Sequence, residues 1–158
     1  MSRWWIDEPV LLGGSNPTDR EIGDLHKEGF RTIISLLDED EQAPYYDIIR
    51  IKVRGFNRYS IPVADFTAPT RADFQKFLEV VAKSLKEGKV LVHCQGGIGR
   101  TGTMGAAYWI KKGLSAREAI QKVRKSRPGA IEMPEQEESL FELEASIAEE
   151  VSQPSQKV

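Results

Sequence analysis

Residues 90–101 place a strand, a tight turn and a helix in direct succession, and the turn carries the only cysteine of the chain. Val90-Leu91-Val92 reads as a buried strand. It runs into His93-Cys94-Gln95-Gly96-Gly97-Ile98-Gly99-Arg100-Thr101-Gly102. Glycines at 96, 97 and 99 let successive backbone N–H groups turn to one side without Cβ clashes. A helix opening near Thr101 adds the positive end of its dipole. Such a site binds tetrahedral anions and favours a thiolate, so Cys94 is expected to ionise near neutral pH. Arg100 can reach back over the turn and hold two anion oxygens at once. The backbone of Gln95, Gly96, Gly97, Ile98 and Gly99, with Arg100, is the expected substrate-binding cradle. The Thr101 hydroxyl is placed to donate to the Cys94 sulfur when that sulfur must leave.

The rest of the composition narrows the partners. A chain of 158 residues fits one domain. The formal net charge of -2 gives no expectation of nucleic acid or anionic membrane as partner. No apolar run approaches the ~18 residues of a membrane span, and Asp7-Glu8 interrupts the start where a signal peptide needs apolar residues. With one cysteine, no internal disulfide forms, as suits a cytoplasmic protein. Cys94, His26 and His93 are the only soft ligands, so neither a metal nor another cofactor is expected.

Strand-like and helix-like segments alternate along the chain. Trp4–Ile6 and Val10–Leu12 read as an N-terminal hairpin and Gly13–Pro17 as a loop. Thr18 with Glu21 forms a capping-box signature for a helix that Gly29 closes. Thr32–Leu37 reads as a strand, the acids at 38–41 as a solvated loop, Tyr45–Val53 as a short helix and Arg58–Pro62 as another strand. Thr70 and Asp73 start an amphipathic helix. Lys89–His93 is the strand that delivers Cys94. Further helices are predicted over Arg100–Lys112, Ser115–Ser126 and Pro134–Val151. The pattern specifies a single α/β domain with a central, mostly parallel sheet of about four or five strands flanked by helices. Residues 1–151 form that domain, and 152–158 are expected to be a disordered tail.

His93-Cys94-x5-Arg100-Thr101-Gly102 resembles the signature of cysteine-dependent protein-tyrosine phosphatases, and the short chain resembles their small atypical dual-specificity branch. Ile61–Pro69 is similar to that branch's acid loop, and Arg127-Pro128-Gly129 followed by Glu135-Gln136-Glu137 to its C-terminal part. The resemblance implies the phosphatase fold, Cys94 as nucleophile, Arg100 as phosphate binder and Asp65 as general acid. It makes His93 the residue that orients the loop and helps lower the thiol pKa. It also brings Glu132 or Gln136 near the hydrolytic water. The implied activity is metal-independent hydrolysis of phosphotyrosine, with phosphoserine or phosphothreonine, through a cysteinyl-phosphate. The implied partner is a phosphorylated protein or peptide, and a monomer is expected.

Asp65 also follows from the residues alone. A departing oxygen needs a proton, and a loop carboxylate after a strand can give it; Asp73 caps a helix instead. Arg127 reads as a support or a helix cap, Trp4, Trp5, Trp109 and Tyr59 as packing, and His26 as an exposed helix residue. Phe56-Asn57-Arg58-Tyr59 matches a tyrosine-phosphatase recognition motif only in the wrong order. Gly97-x-Gly99-x-x-Gly102 matches a dinucleotide fingerprint but lacks the second strand ending in an acid. A nucleotide-triphosphate loop would need lysine where Arg100 stands. Alternatives within reach are a phosphoinositide or RNA 5′-phosphate phosphatase, and a phosphate-binding module without catalysis.

Overall fold

The computed structural model describes residues 1–152. Five strands form one sheet: β1 (Arg3–Asp7), β2 (Leu11–Gly14), β3 (Phe30–Ser35), β4 (Asn57–Ser60) and β5 (Lys89–His93). Their order is β1-β2-β5-β3-β4, with only the β1–β2 hairpin antiparallel. The helices are α1 (Asp19–Lys27), α2 (Arg50–Val53), α3 (Arg71–Ser84), α4 (Gly99–Lys111), α5 (Ala116–Ser126) and α6 (Pro134–Ser152). The tail expected over 152–158 lies, apart from Ser152, outside the described residues.

Period-two alternation divides the core into two layers. Leu11, Ile34, Val90 and Val92 face a larger cluster with residues of α3, α4, α5 and α6. Leu12, Ile33 and Leu91 face a smaller cluster with Ile22, Leu25 and Ile51. Central β5 is therefore covered on both sides, as its unbroken apolar run requires. Capping boxes form at Thr18, as predicted, and at Thr70 and Ser115, each with its acid three residues on. No helix among the described residues is long and apolar enough to cross a membrane.

Three expectations about the elements need correction. Gly13 and Gly14 belong to β2, paired with Trp4 and Arg3 on one side and with Val92 and His93 on the other. The helix expected from Tyr45 begins only at Arg50: Asp47 Oδ1 accepts from the N–H groups of Ile49 and Arg50, and Tyr45 and Tyr46 are held by the functional site. Strand β4 stops at Ser60, after which the Ile61 and Val63 N–H groups bond the carbonyls of Ser35 and Leu36. That path carries residues 61–65 across the carboxyl end of the sheet, where α/β proteins build their sites.

Candidate active site

Strand β5 ends at His93 and α4 begins at Gly99, so the intervening turn hangs over the carboxyl edge of the sheet. Cys94 is buried, and its sulfur accepts hydrogen bonds from the Gly97 N–H at 3.2 Å and the Thr101 hydroxyl at 3.1 Å. Both donors suit a sulfur that carries negative charge.

The turn's carbonyls are fixed from outside. His93 Nδ1 lies 3.1 Å from the Cys94 oxygen, and the Asn16 N–H lies 3.1 Å from the Gln95 oxygen. The Trp4 indole N–H donates to the Gly97 oxygen at 2.8 Å, and the Ile98 oxygen accepts from the Gly102 and Ile131 N–H groups. In a trans peptide the N–H points opposite to the preceding C=O. The N–H groups of Gln95, Gly96, Ile98 and Gly99 therefore face the concave side of the turn. Gly97 is obligatory: its φ is +74°, and a Cβ there would lie 2.6 Å from backbone atoms of Gly14 and Ser15.

Arg100 is almost wholly enclosed at 1% exposure. Its two terminal nitrogens form a fork with both carboxylate oxygens of Glu41, one contact at 2.9 Å. Nη1 also donates to the Val63 carbonyl at 2.9 Å, and Nη2 lies 3.3 Å from Asp65 Oδ1. Burial opposes the guanidinium charge, but Glu41, Cys94 and Asp65 together hold its pKa above the ordinary value. Burial likewise works against the Glu41 carboxylate, and the hydrogen bonds from Arg100 and the Asp38 N–H nevertheless hold its pKa below the usual range. The loop at 38–41, expected to be solvated, is thus in part a wall of the site. Acidic composition hid this, since nothing in Asp38-Glu39-Asp40-Glu41 marks one acid as inward.

His93 lies at the end of a directed chain. A carbonyl only accepts, so Nδ1 carries the proton toward Cys94 O; Nε2 then accepts from the Tyr46 hydroxyl at 2.8 Å. The Tyr46 oxygen accepts in turn from Arg58 Nε at 3.0 Å. Burial, reinforced by Arg58 and Arg100, pushes His93 down to about 4. A neutral imidazole orients the turn through its hydrogen bond to the Cys94 carbonyl.

The structure brings Asp65, Glu132 and Gln136 to the same rim. Asp65 is 46% exposed, on the open side of the site. A Cβ on Gly99 would lie 2.7 Å from Glu132 Oε1 and 3.2 Å from Gln136 Nε2, which locates both side chains against the turn. Gln136 is buried and donates to the Thr67 carbonyl at 3.2 Å, tying α6 to the acid loop. Phe66 and Ile131 are the only non-glycine residues among those described with positive φ, at 62° each. One adjoins Asp65 and the other Glu132. Such conformations cost on the order of 1–3 kcal/mol each and gather at functional sites.

The Arg127 side chain stays outside and, among the described residues, bonds only the adjacent Pro128 carbonyl, whereas Arg124 holds the carbonyls of Ala130 and Ile131 behind Glu132. His26 is half-buried with its ring edge against Phe56, not exposed. Glu41, Trp4, Asn16, Tyr46 and Arg58 serve the site without having been identified as site residues from the sequence. Only the proximity of two tyrosines to the acidic loop could have hinted at them.

Over residues 6–140 the sequence matches the family model described as DSP-PTPase phosphatase fused to NAD+ kinase. It is 36% identical over 147 residues to the tyrosine-protein phosphatase cdc-14 of Caenorhabditis elegans, covering 84% of this chain and 20% of that protein. The chain spans about a fifth of the length of the curated relatives it matches. Its structure is similar to Tk-PTP in the active form, with TM-score 0.83, 36% identity, and 91% of this chain and 97% of that one covered. It is also similar to PTPMT1 in complex with PI(5)P, with TM-score 0.82, 26% identity, and 94% and 98% covered.

Proposed function

The chain belongs to the DSP-PTPase phosphatase family, and from that premise we propose that it hydrolyses phosphotyrosine in proteins, with phosphoserine or phosphothreonine, through a cysteinyl-phosphate. The observation that carries this reading is Arg100 Nε: it is buried and has no hydrogen-bond partner among the described residues. A buried donor left unpaired costs about 1–3 kcal/mol, and more when it is charged. A phosphoryl oxygen beside the inward N–H groups would satisfy it.

In the first step the Cys94 sulfur attacks phosphorus, an S–P bond forms and the P–O bond to the leaving group breaks. The N–H groups of the turn and the Arg100 guanidinium stabilise the charge on the three equatorial oxygens, so the charge balance requires no metal. Asp65, on the open side, protonates the departing oxygen. In the second step water attacks phosphorus, the S–P bond breaks and Asp65 takes the water's proton. The Thr101 hydroxyl donates to the departing sulfur. Gln136 or Glu132, against Gly99, orients the water.

A phosphopeptide panel run with chelator present, beside Cys94→Ser, tests the proposal. Turnover of phosphotyrosine peptides by the wild type and none by the variant is expected; residual turnover by Cys94→Ser would refute the nucleophile. A phosphoinositide substrate is favoured by the likeness to PTPMT1, whose crystal holds PI(5)P. The turn from Gln95 to Gly99 offers no side-chain cation for additional phosphates, and phosphoinositide vesicles in the same panel separate the two.

A further inference from the structure

We infer that Trp4, in the first strand, is a positioning residue for the anion cradle, holding the Gly97–Ile98 peptide so that the Ile98 N–H faces the substrate. The inference rests on reading the turn as the phosphoryl-binding site. Gly96, Gly97 and Gly99 give the turn its inward amides, yet the same glycines lower the barrier to rotating a peptide the other way. A reversed Gly97–Ile98 peptide would aim a carbonyl oxygen at the anion and remove a donor. The lock against that reversal must come from outside the turn.

The four outward carbonyls are not locked alike. The bond to the Ile98 oxygen from Gly102 is the opening bond of α4, and those on Cys94 and Gln95 come from the adjacent His93 ring and from the Asn16 backbone. The Gly97 carbonyl, at the middle of the turn, is held by a single side chain contributed from 93 residues away. Trp4 is itself fixed. It is 7% exposed and pairs with Gly13 of β2. A Cβ at Gly13 would meet Trp4 Cε2 at 2.9 Å and Thr101 Cγ2 at 3.0 Å. The missing side chain at position 13 leaves the slot in which the indole lies, beside the threonine that donates to Cys94 Sγ.

The test replaces Trp4 by phenylalanine and, separately, its indole by benzothiophene, which keeps the two-ring shape and lacks the N–H. Competitive inhibition by inorganic phosphate is measured with kcat, KM and the urea midpoint. Both replacements should weaken phosphate inhibition and lower kcat/KM by roughly tenfold, the worth of one hydrogen bond. The benzothiophene protein, which keeps the packing of the indole, should lower the urea midpoint less than Trp4→Phe does. Wild-type phosphate affinity in the benzothiophene protein overturns the inference, as does a lowered urea midpoint with unchanged phosphate affinity in Trp4→Phe, because packing alone then accounts for the indole. If the wild type itself binds no phosphate, the hydrolase reading fails first and this one falls with it.

Discussion

Acid should weaken this fold through one imidazole, and the size of the effect follows from the site. Folding moves His93 from an ordinary 6.5 to about 4, chiefly by burial. The unfolded chain therefore takes up a proton that the folded chain refuses. The associated stability is complete above about pH 6.5, falls as the pH drops from there toward 4, and levels off below. The distance from 6.5 to about 4 corresponds to about 3 kcal/mol at about 1.4 kcal/mol per pH unit. Most of that is lost by about pH 4.5. Urea melts at a series of pH values read it out, provided the m-value stays constant. His93→Asn is the control: its amide can still donate to the Cys94 carbonyl but does not titrate here. Glu41 also contributes stability that is lost in acid, but it does so in both proteins, and only the part of its shift owed to His93 survives in the difference. Equal pH slopes for wild type and variant, or an NMR titration of His93 with its midpoint near the ordinary value, would refute the argument.

Asp65→Asn should cut kcat by about 10²–10⁴ on alkyl phosphates and far less on p-nitrophenyl phosphate, whose oxygen leaves without a proton; equal losses on both would remove Asp65 from the acid role. Glu41→Gln breaks the fork on Arg100, so kcat/KM should fall on the order of tenfold and stability by about 1–3 kcal/mol. Unchanged values would mean that the carbonyls of Val63 and Leu36, 2.9 and 3.4 Å from Arg100 Nη1, suffice to aim the guanidinium. Gly97→Ala should destabilise by more than the ~1–2 kcal/mol of its left-handed backbone, because its Cβ would also meet the Gly14–Ser15 backbone; a urea midpoint within error of wild type would contradict the close approach.

The parts of the fold and site that were readable in the sequence are those encoded locally. Capping boxes at Thr18, Thr70 and Ser115 set three helix starts within a residue. The apolar run ending at His93 and the glycines after Cys94 specified the strand, the turn and its chemistry together. Gly13 and Gly14 read as loop from the sequence because glycine is a turn residue in isolation, and only pairing with β5 and β1 makes them strand. The inward role of Glu41 was invisible for a related reason. A carboxylate is classed as solvated until a buried cation is seen beside it, and Arg100 lies 59 residues away. Trp4, Tyr46 and Arg58 act across the sheet, at separations where composition and periodicity carry no information.

The left-handed backbone at Phe66 has a bearing on how such a protein would respond to selection. Its ring is 57% exposed, so exchanging it for glycine forfeits little packing while relieving on the order of 1–2 kcal/mol. Heat-tolerant descendants should discard that aromatic readily, and its retention in lineages selected for turnover would mark a role beside Asp65 that outweighs the strain. Divergence between the two kinds of library at codon 66 would register a trade of robustness against rate.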